Sequence, residues 1–156
     1  AGYLALNSAI ATGSEAAIIP EMDTEGDQLA ELISQGFRKS KNSAIVIVAE
    51  NPKTGGATAL AERVKKEFPQ YDARVTILGH IQRGGSPCSY DRILGTRFGS
   101  YAVELVEKRQ FSCMVALRGT QMTAVPIEEA VKTLKLVDPD CQLVRTARDL
   151  GVCFGD

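Results

Sequence analysis

Apolar positions along the chain fall into two alternating spacings, one suited to strands and one to helices. Gly2 to Ala11 reads as a helical segment stopped by Thr12 and Gly13, and Glu15 to Pro20 as a short buried strand. Thr24 is a candidate N-cap, with Glu25 and Asp27 in a first turn where negative charge is favoured. Leu29, Leu32, Ile33 and Phe37 then share one helical face, and Arg38, Lys39 and Lys41 gather at its C-terminal end. Ser43 to Ala49 is the clearest strand. It is apolar from Ala44 and rich in β-branched residues, which predicts burial on both faces of a parallel sheet. Gly55 and Gly56 open a loop, Leu60, Val64 and Phe68 form another helical stripe, and Arg74 to Leu78 reads as a third strand.

The second half continues with longer elements. Ser86 and Pro87 read as N-cap and first residue of a helix running to about Lys108, with Ile93, Leu94, Phe98, Ala102 and Leu105 towards the core. Gly95 and Gly99 lie inside it at a cost of ~1 kcal/mol each against Ala, which predicts a close backbone approach there. Phe111 to Leu117 and Gln121 to Val125 read as two strands joined at Arg118, Gly119 and Thr120. Pro126 begins a short helix, and Asp140 caps a last one ending at Gly151. Strand and helix alternating in this way is the pattern of an α/β fold built on a parallel sheet.

Composition narrows the function classes. With 44% hydrophobic and 24% charged residues, the 156-residue chain is neither disordered nor of low complexity. A net charge of −1 gives no support for a nucleic-acid partner. It hides an asymmetry, because no Lys or Arg precedes Arg38 whereas Glu15, Glu21, Asp23, Glu25, Asp27 and Glu31 do. No stretch approaches the ~20 apolar residues that span a bilayer, so no membrane partner is expected. Cys88, Cys113, Cys141 and Cys153 contain no C-x-x-C pair and have no nearby His, so reduced thiols and a cytoplasmic location are expected. The apolar, Met-less start at Ala1 reads as the cut end of a longer polypeptide.

Candidate chemistry follows from the carboxyl ends of the strands, where parallel α/β sheets bind ligands. The second strand leads to Glu50, and the third to Gly79, His80, Arg83, Gly84 and Gly85. Arg grips a phosphate in two places, His adds a donor, and a carboxylate accepts from sugar hydroxyls. Two glycines leave backbone N–H groups open to a ligand. Together these residues read as a sugar-phosphate cradle. Each also has an ordinary alternative: Gly-Gly-Ser-Pro as a turn before a helix cap, His80 as a packing residue, Glu50 as the start of a solvated turn.

The run Arg74-x4-Gly79-His80-x-Gln82-Arg83-Gly84-Gly85-x5-Asp91-Arg92 matches the 6-phosphofructokinase signature at every position. Gly2-Tyr-Leu-Ala-Leu, Ile19-Pro20-Glu21, Ala44 to Glu50 and Ile93-Leu94 agree with it. The chain resembles the C-terminal half of a bacterial-type phosphofructokinase over essentially its whole length. The resemblance implies the three-layer α/β parallel-sheet fold of that family. Residues 1–85 would be its fructose-6-phosphate-binding part. Residues 86–156 would be a long helix, a strand pair and C-terminal helices of the same unit, returning to an absent nucleotide-binding domain. It implies transfer of the γ-phosphoryl of ATP to the 1-hydroxyl of fructose 6-phosphate, with Mg2+ accompanying the ATP. Pyrophosphate as donor, or a non-catalytic sugar-phosphate-binding subunit, are the alternatives.

Residue by residue, Glu50 matches the acid on the sugar hydroxyls, and His80 and Arg83 match residues on the sugar and its 6-phosphate. Arg74 matches an arginine reaching the 6-phosphate from a neighbouring subunit, which implies a homotetramer. Gly13, Ser14, Glu15, Lys39, Lys41, Asn42 and Ser43 lie where relatives bind an ADP or phosphoenolpyruvate effector, with Glu15 as a ligand to the effector's magnesium. Ser43 stands where some regulated relatives have His, and Lys39 and Lys41 equally suit a helix C-terminus. The family's catalytic acid, in Thr-Ile-Asp-Asn-Asp, does not occur in these residues, nor do its Gly-Gly-Asp loop and Met-Gly-Arg triplet. The chain by itself is therefore expected to hold no catalytic residue and no catalytic metal ligand.

Overall fold

A computed structural model describes residues 1–22, 43–50 and 55–155. The helix expected after Thr24, and with it Lys39, Lys41 and Asn42, lies outside the described residues, as do Asn51 and Pro52. The chain packs as two compact units, residues 1–77 with 135–156, and residues 78–134.

In the first unit, α1 (Tyr3–Thr12) leads to β1 (Ala16–Ile18), which pairs in parallel with β2 (Val46–Val48), Ala16 opposite Val46 and Ile18 opposite Val48. Helix α1 stops because Gly13 takes φ +63, letting its N–H reach the Ile10 carbonyl and that of Ser14 the Ala9 carbonyl. On the far side of β1, Cys153 extends the ladder: Ala17 N–H donates to the Cys153 carbonyl and Cys153 N–H to the Glu15 carbonyl. Helix α2 (Gly56–Glu67) follows β2 in the chain, and α5 (Gln142–Asp149) packs against α1.

The core lies between α1, β1 and α5. Leu6 and Ala9 of α1, Ala17 and Ile19, Val144 and Ala147 of α5, and Phe154 are all buried. Alanines at positions 5, 9, 16 and 17 let the helix approach the strand closely, and the large side chains of Leu6 and Phe154 fill the space beside them. Burying a side chain of that size contributes about 1.5–3 kcal/mol. The Arg148 guanidinium covers the Phe154 ring, 5.1 Å from its centroid.

The second unit consists of α3 (Ser89–Glu107), an antiparallel hairpin of β3 (Cys113–Arg118) and β4 (Gln121–Pro126), and α4 (Ile127–Lys132). Gly119 at φ +60 makes the two-residue turn, and Arg97 Nη2 on α3 donates to the Thr120 carbonyl at 2.6 Å. Among the described residues of this unit, Leu105 is the buried hydrophobic, while Phe111, Val131 and Leu134 stay more than 60% exposed.

The α/β class and the parallel pairing of the first two strands agree with the sequence reading, and five of its details are corrected. Residues 73–78 form no strand: Val75 and Ile77 alternate suitably, but no described strand lies beside them and both are exposed. Residues 46–48 are half-buried rather than enclosed on both faces. Helix α3 begins at Ser89 with Cys88 as N-cap, since Asp91, three residues on, accepts the Cys88 N–H at 2.9 Å; Ser86 has no such acid. The last helix is likewise capped one residue later, at Cys141, after a turn in which Asp138 accepts the Asp140 N–H. Gly95 and Gly99 face open space, so neither marks a close approach among the described residues.

Candidate functional site

The signature stretch begins as a largely exposed segment without regular secondary structure and ends in a tight turn. Residues 73–78 carry Arg74, and a 3-10 turn over Gly79–Arg83 carries His80 and Arg83. Gly79 permits the turn by taking φ +51, and Ile81 N–H then donates to the Leu78 carbonyl at 3.1 Å. Gly84 N–H donates to the Ile81 carbonyl at 3.2 Å, so that amide is committed to the turn and not open to a ligand. Gly85 reverses the chain at φ +103 before α3.

Glu50 and Arg74 belong to the first packing unit, His80 and Arg83 to the second. All four are exposed. Glu50 lies two residues past β2, whose last rung is Ala49 N–H to the Ile18 carbonyl at 2.8 Å. The Arg74 guanidinium is held by Asp72, with Nε and Nη2 at 3.0 and 2.9 Å from Oδ2. Both side chains are largely in solvent, and an exposed pair of this kind is worth only about 0–1 kcal/mol. A phosphate in Asp72's place would accept the same two donors. His80 and Arg83 have no hydrogen-bond or ion-pair partner among the described residues. Neither is a packing residue.

Of the residues expected at an effector site, Gly13, Ser14, Glu15 and Ser43 are described. Gly13 is exposed at the end of α1, whereas Ser14 is buried, its hydroxyl 3.4 Å from the Ala9 and Ala16 carbonyls. Glu15 Oε2 accepts the Ile45 N–H at 2.7 Å, joining β1 to the start of β2. Ser43 is exposed. Among the described residues no three His, Cys, Asp or Glu side chains gather to hold a metal ion, and no helix is long and apolar enough to cross a membrane.

The sequence model of the phosphofructokinase family matches residues 1–106. The chain belongs to the phosphofructokinase family. It is 55% identical over 152 residues to the ATP-dependent 6-phosphofructokinase 2 of Bacteroides thetaiotaomicron, covering 97% of this chain and 46% of that protein. It is 40% identical to the ATP-dependent 6-phosphofructokinase 3 of the same organism, over 99% of this chain and 47% of the relative. The corresponding enzyme 1 of Synechocystis is 37% identical over the whole of this chain and 48% of its own length. The chain thus spans about half the length of the curated relatives it matches.

Within this phosphofructokinase chain, two residues beyond the sequence reading shape the site and its support. Asp72 is one, through its hold on the Arg74 guanidinium. Glu21 is the other: it accepts Gly2 N–H and Val137 N–H, contacts across sequence distances that no local pattern reveals.

Proposed function

We propose that this chain is the fructose-6-phosphate-binding part of an ATP-dependent 6-phosphofructokinase. The whole enzyme moves the γ-phosphoryl of ATP to the 1-hydroxyl of fructose 6-phosphate, giving fructose 1,6-bisphosphate in glycolysis. In this reading Glu50 accepts from the sugar hydroxyls, while His80 and Arg83 hold the sugar and its 6-phosphate. Arg74 reaches the 6-phosphate of a neighbouring subunit's site in a homotetramer. An amino-terminal half supplies the catalytic acid, the nucleotide loop and the Mg2+ that accompanies ATP. The observation that carries the reading is the exposure of Arg74, His80 and Arg83 within ten residues of matched signature, with Asp72 on Arg74 as their one partner among the described residues. Positioning and charge neutralisation dominate phosphoryl transfer, and these groups are suited to both.

ATP is favoured over pyrophosphate as donor because the similar proteins are named ATP-dependent enzymes. The exposed apolar side chains of the second unit support a further polypeptide segment lying over them, since large exposed apolar patches mark interaction surfaces. Effector binding by ADP or phosphoenolpyruvate involves Gly13, Ser14, Glu15, Lys39, Lys41, Asn42 and Ser43. Glu15 would be a carboxylate for magnesium beside an effector's phosphates, a setting in which one or two carboxylates commonly hold that ion. The enzyme is cytoplasmic in this reading.

Thermal-shift titration of the full-length kinase with fructose 6-phosphate tests the sugar site. A stabilisation that grows with ligand and is lost in Arg83→Ala is expected. No shift, or an equal shift in the variant, would overturn it.

A further inference from the structure

Strand β2 is gripped at one end by a side chain and leads to the sugar acid at the other. At its amino end, Glu15 N–H donates to the Ile45 carbonyl at 3.0 Å, and the Glu15 carboxylate turns back to accept the Ile45 N–H at 2.7 Å. The side chain thereby supplies the ladder rung that another strand residue would otherwise provide. β2 then runs three residues in register with β1, ends on the Ala49 rung, and passes directly to Glu50. The strand is short and half-buried, and β1 is its one described neighbour, so a rung at its start is a large share of what fixes its register. A one-residue slip would turn every side chain to the opposite face and move the point at which Glu50 leaves the sheet.

We propose that Glu15 is a positioning residue for Glu50, acting through the Ile45 N–H and β2. This role rests on the assignment of Glu50 to the sugar, and it is separate from any contact between Glu15 and an effector. It depends on reach rather than charge. Asp keeps the charge but is one methylene too short for the Ile45 amide, whereas Gln keeps both the length and an acceptor oxygen.

Glu15→Asp and Glu15→Gln separate the two. Amide exchange in the 156-residue chain reads the strand, and the KM for fructose 6-phosphate in the full-length kinase, without effector, reads the site. Glu15→Asp should speed exchange at Ala49 about tenfold, the loss expected for one hydrogen bond at the strong end of the usual range, and raise the sugar-phosphate KM by a similar factor. Leu6 N–H, bonded to the Gly2 carbonyl, should keep its protection, which distinguishes a loosened strand from general unfolding. Glu15→Gln should rescue both readouts relative to Glu15→Asp. Unchanged Ala49 exchange in Glu15→Asp, or Gln behaving as Asp does, would overturn the grip. Faster exchange with an unchanged KM, while Glu50→Gln raises the KM, would overturn positioning alone. An unmoved KM in Glu50→Gln would instead overturn the sugar-site assignment beneath it.

Discussion

Glu21 holds the Gly2 N–H with both carboxylate oxygens, at 2.9 and 3.0 Å, and so fixes the entry of α1 against the end of β1. One of those oxygens also accepts the Val137 N–H at 3.1 Å, bringing a third segment of the first unit to the same carboxylate. Gly2 suits this place because a Cβ there would meet that of Ile19 at 2.4 Å. Tyr3 reinforces it by donating its hydroxyl to the Leu136 carbonyl at 2.7 Å. Glu21→Ala leaves partly buried N–H groups without their acceptor, and should cost about 1–3 kcal/mol of stability. Urea unfolding of the 156-residue chain measures it; a loss below a few tenths of a kcal/mol would deny the clamp.

The same carboxylate makes stability pH-dependent. Burial works to raise its pKa, but the hydrogen bonds from the Gly2 and Val137 amides and its own N–H outweigh burial and hold it below 4.5. A carboxylate with a depressed folded pKa stabilises fully above its unfolded value, and that contribution is lost as the pH falls through the folded one. Unfolding midpoints should therefore fall more steeply below about pH 4.5 in the wild type than in Glu21→Gln, which cannot ionise. Parallel acid profiles for the two proteins would contradict this.

What was legible in the sequence followed local chemistry. Gly13 after an apolar helical run, the β-branched run ending at Val48, and Gly119 between two alternating segments each identify an element through adjacent residues. Residues 73–78 show the limit of such patterns. Val75 and Ile77 alternate as strand residues do, but a strand exists only where another pairs with it, and no local pattern records the neighbour. The cap of α3 differs from the expected one for another reason: Ser86-Pro87 is a strong start signal, yet the Asp91 carboxylate decides the boundary by taking the Cys88 amide. Among the site residues, the types and spacing of Arg74, His80 and Arg83 were evident. Asp72's hold on Arg74, Glu15's grip on Ile45 and the inward turn of Ser14 needed three dimensions.

Arg109 ends α3 in a conformation better suited to glycine. It takes φ +53, its N–H donates to the Val106 carbonyl at 2.9 Å, and Gln110 N–H donates to the Leu105 carbonyl at 2.8 Å. A side chain in that left-handed region costs about 1–2 kcal/mol. Arg109→Gly should therefore stabilise the second unit by about 1 kcal/mol, with the closing hydrogen bonds kept. Amide exchange at Gln110 checks it: slower exchange is expected, and faster exchange would show that the arginine side chain contributes more than its backbone strain costs.

In the proposed function, Glu50 and His80 serve the sugar phosphate rather than the phosphoryl donor. Steady-state kinetics of the full-length kinase, varying fructose 6-phosphate and ATP in turn, test it most directly. Glu50→Gln and His80→Ala should each raise the KM for fructose 6-phosphate by about tenfold or more, the loss of one charge-assisted contact, while the KM for ATP stays within about twofold. Equal increases in both constants, or an increase confined to ATP, would contradict the account.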